Sequence, residues 1–316
     1  MDLSLFNTAN LFEASTHLFQ QLGIKLNSNT AEALPTKKLL SGFYKDNDTF
    51  NSIINTYFIG IIDDSVFQTT GKGDVKYSIH EVLHPDFHQD DNGYNGLMIF
   101  AFELTRKPTR TEISELTRAF NRISQKMPVA LLLKYPSVLP SEGNEALISL
   151  AISERFKYLQ HWRQGEKVGK IIILKDIATY HTHAGHQRIL LDLVKPSGVT
   201  NFKQLHAHWL QVLDVNVLNK KFFKEIANWY FWAKDKVQFP DDIEKNEQVR
   251  NATNLIRLIT RIIFIWFIKE KNLVPAALFD KKYLSTILKD FMQTKTLTII
   301  TRPYCKTSFL EPSTKK

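Results

Sequence analysis

Residues 217–240 read VLNKKFFKEIANWYFWAKDKVQFP, and residues 250–275 read RNATNLIRLITRIIFIWFIKEKNLVP. In the first stretch the large apolar residues recur at helical spacing from Phe222 to Ala233, and Pro240 ends the pattern. The second stretch is apolar nearly all round between Leu255 and Ile268. A helix of that kind is typical of a buried position. The sequence therefore predicts a helical region organised around a central buried helix.

A membrane span is the alternative interpretation of the second stretch. Its unbroken apolar run covers only 262–268, whereas a spanning helix needs roughly 20 apolar residues. Arg257 and Arg261 interrupt the pattern on one side, and Lys269 closes it on the other. The sequence favours a core helix and no membrane partner.

Composition places the chain among soluble globular proteins. Of its 316 residues, 43% are hydrophobic and 23% are charged, which argues against disorder. The net charge of +9 indicates an anionic partner, most simply nucleic acid, although a merely basic protein gives the same value. Cys305 is the single cysteine, so disulfides and cysteine-based zinc sites are excluded. With no signal-peptide pattern at the start, we expect a cytoplasmic protein.

The N-terminal half alternates between helical and strand patterns. Continuous apolar runs predict buried strands, with a shorter strand at 77–82, and an amphipathic pattern predicts a helix at 111–123. The buried strands are expected at 57–62, 97–104, 129–135, 147–152 and 171–174. We therefore predict an α/β domain with a mixed sheet, a restriction-endonuclease-like fold being one form of it, followed by an all-α connector. The expected boundaries are a helical lead-in at 1–50, the α/β domain at 51–180, the connector at 181–292 and an irregular tail at 293–316.

Acidic residues at predicted strand ends suggest a nuclease. Asp63 and Asp64 follow the first strand and Glu103 ends a later one, and such carboxylates can hold Mg²⁺ beside a phosphate. The nuclease signature places a lysine two residues after the glutamate, whereas Thr105 stands there in this chain. The three acidic residues are candidates for a degenerate, Mg²⁺-dependent nuclease site, with solubility at strand ends as the alternative.

Basic residues cluster in the segment TRKPTRTEISELTRAFNR at 105–122. Arg118 and Arg122 are four residues apart and share one helix face, where they can meet phosphates. The candidate DNA contacts are Arg106, Lys107, Arg110, Arg118 and Arg122. A solvated helix face is the alternative, since Glu112 and Glu115 interrupt the positive charge.

Three histidines, His181, His183 and His186, form the densest cluster of their kind. Closely spaced histidines can bind zinc. With no cysteine and no clear carboxylate partner, a polar turn before the next helix explains them better.

The sequence contains no complete catalytic motif. A phosphate-binding loop, a glycine-rich methyltransferase loop and the Asn/Asp-Pro-Pro-aromatic tetrapeptide that holds a flipped adenine are all missing. We therefore expect neither a cofactor nor a metal in this chain.

Four segments, at 97–135, 167–177, 201–233 and 250–275, resemble the N-terminal portion of type IIG-like restriction–modification enzymes with an adenine-specific DNA methyltransferase. The first, LMIFAFELTRKPTRTEISELTRAFNRISQKMPVALLLKY, resembles their strand, Arg-Thr, helix, Pro-Val and strand block. The last two resemble their helical connector. In that family the methyltransferase and target-recognition domains follow the connector, and they use S-adenosylmethionine and in some cases Mg²⁺.

The resemblance implies a DNA-associated part of a restriction–modification protein that itself lacks the methyltransferase site. A stand-alone, non-enzymatic DNA-binding or adaptor subunit is the alternative, and the degenerate nuclease is the third interpretation.

The C-terminal tail differs from the connector that the resemblance implies. Beyond 292 the sequence TLTIITRPYCKTSFLEPSTKK has no helical stripe. A back-translation of 298–316, read from its third base, can give NYYKAILQNLFFRTLNQK, which is close to the expected family helix. We therefore expect an out-of-frame tail that does not pack, and a connector whose apolar surface is partly uncovered.

Overall fold

The architecture comes from a computed structural model, which describes residues 1–26, 31–67, 77–84, 96–123, 127–137, 145–157, 166–270 and 273–287. The strands are β1 Ile53–Asp63, β2 Gly96–Leu104, β3 Val129–Pro136, β4 Ala146–Lys157 and β5 Glu166–Ala178. The helices are α1 Leu5–Thr8, α2 Leu11–Gln21, α3 Thr36–Leu40, α4 Asp48–Asn51, α5 Ile79–Val82, α6 Arg110–Ile123, α7 Ala184–Asp192, α8 Phe202–Val212, α9 Val215–Lys234, α10 Glu247–Glu270 and α11 Lys281–Ile287.

The five strands form one mixed sheet in the order β1-β2-β3-β4-β5. β2 and β3 are parallel and are joined through α6, while the other neighbouring pairs are antiparallel. Residues of β2 and β3 are buried on both faces, which explains why their sequences read as continuous apolar runs. The predicted α/β domain followed by helices is confirmed.

Helices cover both faces of the sheet. Alternate residues of β2, such as Leu97 and Ile99, pack with α1, α2, α7 and α8, and the intervening residues, such as Phe100 and Phe102, pack with α6. The indole of Trp209 in α8 is fully buried and donates to the carbonyl of Leu193 after α7 at 2.8 Å. α7 and α8, which the sequence suggested as part of the connector, thus pack on the sheet.

The described chain divides into two compact units, the first reaching residue 225 and the second beginning at residue 226.

The predicted strand at 77–82 is wrong. Residues 79–82 form one helical turn, because the Ser78 side chain and the Glu81 side chain cap each other's backbone N–H groups.

The central buried helix predicted at 255–268 is also wrong. α10 does form, but among its residues Leu255 is buried while many larger apolar side chains are exposed. Length and composition alone would allow α10 to cross a bilayer, and only 11% of its most apolar window is buried. The apolar residues surround the helix on more sides than the described neighbours can cover.

α9 is exposed in the same way, so the expectation of a partly uncovered connector is confirmed. The exposed side chains of α9 and α10 are 41–66% accessible: Phe222, Phe223, Trp229, Phe231, Trp232, Ile256, Ile262, Ile263, Phe264, Trp266 and Phe267. The predicted tail at 293–316 lies outside the described residues.

Candidate nucleic-acid interface

The start of α6 is fixed by a cap that uses one of the predicted DNA contacts. The Glu112 carboxylate accepts from the backbone N–H of Thr109 at 2.7 Å, and Thr109 Oγ1 accepts from Glu112 N–H at 3.3 Å. The Arg106 guanidinium donates to both carboxylate oxygens of Glu112. The hydrogen bonds from Arg106, then those from Thr109, lower the pKa of Glu112 to about 2 against the opposing effect of burial. Arg106 is therefore engaged in starting the helix.

The apolar side of α6 decides which residues face outward. Ile113, Leu116 and Phe120 are fully buried against the sheet. Thr117 and Asn121 are buried with them, whereas the exposed positions of the helix carry Arg110, Arg118 and Arg122. The outward side is polar and predominantly basic.

A shallow groove lies between α6 and β5, one of the two edge strands of the sheet. It is lined by Arg110, Thr111, Ser114, Glu115, Arg118, Ile171 and Ile173. The Arg110 guanidinium donates to the carbonyl of Ile173 at 3.2 Å, which ties the helix to the strand edge. We call this feature the α6–β5 groove.

The groove carries net positive charge. Its one carboxylate, Glu115, is paired with the Lys45 ammonium at 2.6 Å. Arg118 is exposed and makes no hydrogen bond or ion pair within the part of the chain that the structure describes. Arg122, one turn further, is exposed with its guanidinium 5.8 Å from the centre of the Phe43 ring. Arg118 and Arg122 are thus available to an anionic ligand.

The remaining predicted contact, Lys107, lies three residues before the start of α6. Its ammonium is 3.0 Å from a carboxylate oxygen of Asp176 in β5. Among the five predicted DNA contacts, the structure therefore places three on the outward side of one helix and two in ion pairs next to its start.

The acidic candidates do not form one site. Asp63 pairs with Gly96 at the beginning of β2, whereas Glu103 lies near its end, opposite Asn55. Seven residues of strand separate the two positions, which corresponds to about 24 Å. A shared metal ion is excluded by this distance. No group of three or more His, Cys, Asp or Glu side chains is placed to hold a metal within the described ranges.

Asp63 and Asp64 instead hold the chain after β1. One oxygen of buried Asp63 accepts from the N–H and hydroxyl of Ser65, and the other accepts from the Tyr77 hydroxyl at 3.3 Å. Asp64 accepts from the N–H of Phe202, the first residue of α8, at 2.8 Å. Both carboxylates therefore have structural partners that explain their positions.

Glu103 forms a polar row across three strands. One carboxylate oxygen is 3.0 Å from the Lys134 ammonium on the parallel strand β3, and the other accepts from the Asn55 amide at 3.2 Å. The nuclease signature has a lysine at the position of Thr105, and in this structure Lys134 of the neighbouring strand lies beside Glu103 instead. With an amide where a second carboxylate would be needed, the row is a weak metal site.

The histidines lie at the start of α7 without forming a zinc site. His183 Nδ1 accepts from Gly185 N–H at 3.1 Å and caps the helix, as expected of a polar turn. His181 faces the buried carboxylate of Glu145 at 3.6 Å. Burial, and then the charge of His183, lowers the pKa of His186.

The sequence reasoning missed Asp176, which contacts two lysines and a buried tyrosine. A signal was available, because two charged residues, Lys175 and Asp176, interrupt the apolar run of β5.

No protein-family model, curated protein or solved structure matches this chain.

Proposed function

We propose that the chain binds DNA through the α6–β5 groove and serves as the non-catalytic, DNA-associated part of a restriction–modification system. The observation that carries the proposal is the outward side of α6, on which Arg110, Arg118 and Arg122 extend over about 18 Å of helix. That length corresponds to about five base pairs of duplex rise. The net charge of +9 supports an anionic partner in general.

Contacts of this kind read the backbone and not the sequence. Guanidinium groups on a solvent-exposed helix side neutralise phosphates, and such contacts carry no sequence information. The proposed binding is therefore weak, independent of sequence and sensitive to salt. Recognition of a target sequence and methyl transfer from S-adenosylmethionine to adenine would belong to other domains.

The stand-alone adaptor is the second candidate, and the exposed apolar side chains of α9 and α10 favour it. Exposed large apolar side chains in this number are a common mark of a protein–protein interface. In both interpretations a methyltransferase partner is expected, in the same chain or in a separate one.

The experiment is a mobility-shift titration of a duplex oligonucleotide with the wild-type chain and the double variant Arg118→Glu/Arg122→Glu. We expect the variant to bind at least tenfold more weakly, and to do so equally for unrelated duplexes. Reversing exposed Lys203 and Lys220 to glutamate changes the net charge by the same amount away from the groove, and serves as the control. Equal loss in the control and the double variant would reduce the proposal to non-specific charge attraction.

A further inference from the structure

β5 contains a bulge at Asp176, where a non-glycine residue has the positive φ of 62°. Ile148 of β4 pairs with Ile177 and Leu150 pairs with Leu174, so Ser149 faces both Lys175 and Asp176. A left-handed backbone is unfavourable for residues with a side chain, although aspartate tolerates it better than most. Such positions and bulges are more frequent at binding sites than elsewhere.

Two buried hydroxyl groups hold this conformation. The N–H of Asp176 lies 3.1 Å from Ser149 Oγ and 3.3 Å from the hydroxyl oxygen of Tyr135, and the two hydroxyl groups bond each other. The Tyr135 hydroxyl also donates to Asp176 Oδ1 at 2.8 Å. Because Tyr135 and Ser149 are almost fully buried, the carboxylate is oriented from the core side.

The other carboxylate oxygen holds two ammonium groups. Asp176 Oδ2 is 3.0 Å from Lys107 Nζ and 2.8 Å from Lys175 Nζ, so the two nitrogens are at most about 5.8 Å apart. The side chains of Lys107 and Lys175 are 29% and 15% accessible, so both reach the surface of the protein. Burial would raise the pKa of Asp176, but the hydrogen bond and charge of Lys175 and the charge of Lys107 outweigh it and lower the pKa. At neutral pH one negative charge therefore orients two positive charges.

We propose that Lys107 and Lys175 form a phosphate clamp, oriented by Asp176, at the end of the α6–β5 groove. A spacing of this size allows each ammonium to donate to a different non-bridging oxygen of one phosphate group. Asp176 is a positioning residue in this arrangement and does not contact the ligand.

The clamp continues the proposed DNA path. Arg110 binds the carbonyl of Ile173, two residues before Lys175 on the same strand, so the basic side chains follow the edge of the sheet from Arg118 to Lys107. The assignment of the clamp to backbone phosphates of DNA rests on the proposed function. Affinity for a phosphate group does not, because inorganic phosphate carries the same oxygens.

The test uses the full chain and the variants Lys107→Gln, Lys175→Gln and their combination. Duplex affinity is measured as a function of salt, and each single change should weaken binding about three- to tenfold and reduce the slope of log affinity against log salt by about one. Lys170→Gln is the matched control, since this exposed lysine lies on the same strand and is paired with Asp214 at 3.9 Å. Lys175→Arg keeps the charge and should retain most of the affinity.

A second arm measures thermal unfolding with inorganic phosphate against chloride at equal ionic strength. Stabilisation by phosphate should be present in the wild type and absent in the double glutamine variant. Wild-type binding to DNA with unchanged slopes in both single variants would overturn the clamp and leave the proposed function standing. If the wild-type chain does not bind DNA but is stabilised by phosphate, the proposed function is overturned and free phosphate is the ligand. Absence of both effects overturns the clamp.

Discussion

The carboxylate of Glu103 and the ammonium of Lys134 lie 3.0 Å apart on the two parallel strands of the sheet. The pair has the residue types of a nuclease site, but Asn55 supplies an amide where a second carboxylate would be needed to hold a metal. The relationship is better explained as a structural ion pair at the end of the sheet.

The ion pair gives the first prediction. Glu103→Gln should lower the free energy of unfolding by about 1–2 kcal/mol, because it leaves the partly buried Lys134 without its counter-charge. Denaturant unfolding measures the change.

Incubation of wild-type protein with plasmid DNA and Mg²⁺ should show no cleavage. Cleavage that disappears in the Glu103→Gln variant would restore the nuclease interpretation.

The cap of α6 gives the second prediction. Glu112→Ala should cost about 1–2 kcal/mol, since it removes both the helix cap and the carboxylate that binds Arg106. Glu115→Ala on the same helix removes an ion pair whose lysine is 57% accessible, and should change stability by less than about 0.5 kcal/mol. Equal effects of the two changes in urea unfolding would contradict the assignment of the cap.

Buried His206 gives the third prediction. It stacks on Phe202 and is 4% accessible, and burial lowers its pKa from 6.5 to about 4. In the unfolded chain the ordinary pKa returns, so the unfolded state binds a proton first as the pH falls below 6.5. Stability attributable to His206 is therefore complete above pH 6.5 and decreases by about 3 kcal/mol as the pH approaches 4.

The check compares unfolding free energies of the wild type and His206→Gln between pH 7 and pH 4. The variant is expected to be less stable at pH 7 and to lose less stability on acidification. His208→Gln, two residues along the same helix at a half-buried position, is the control. A wild-type pH dependence that is retained in full by His206→Gln would show that other groups cause it.

The exposed surface of α9 gives the fourth prediction. Phe231 and Trp232 are 64% and 60% accessible, so Phe231→Gln and Trp232→Gln should each change the unfolding free energy by less than about 0.5 kcal/mol. The double variant should bind less of a hydrophobic dye and aggregate more slowly. Ala233→Gln, at the adjacent buried position, should cost about 1–3 kcal/mol. Flotation of the wild type, but not the double variant, with lipid vesicles would contradict the expectation of no membrane partner.

Sequence patterns predicted the strands that are buried on both faces and the helix that is buried on one face. The runs at Leu97 and Val129 and the amphipathic pattern of α6 each correspond to an observed strand or helix. The register of neighbouring strands is not contained in such patterns. The sequence therefore groups Asp63 with Glu103, although Asp63 in β1 pairs with the first residue of β2 and Glu103 lies near the other end of β2. The parallel register of β2 and β3 places Lys134 directly beside Glu103, and strand patterns do not fix that pairing.

Burial of a helix depends on what surrounds it, and sequence pattern alone does not supply that information. α10 has the composition of a core helix, yet Trp266 and Phe267 are about half exposed. Partners that are close in sequence are easier to predict, and the polar turn expected at the three histidines is found before α7, where His183 also caps the helix.

The salt dependence of duplex binding reports how many cationic side chains contact phosphates. Five such side chains are proposed to contact the DNA backbone: Lys107, Arg110, Arg118, Arg122 and Lys175. Contacts of this number predict a slope of log affinity against log salt of about −4 to −5, the same for unrelated duplexes. A titration between low and physiological salt that shows no binding, or binding with a slope near zero, would contradict it.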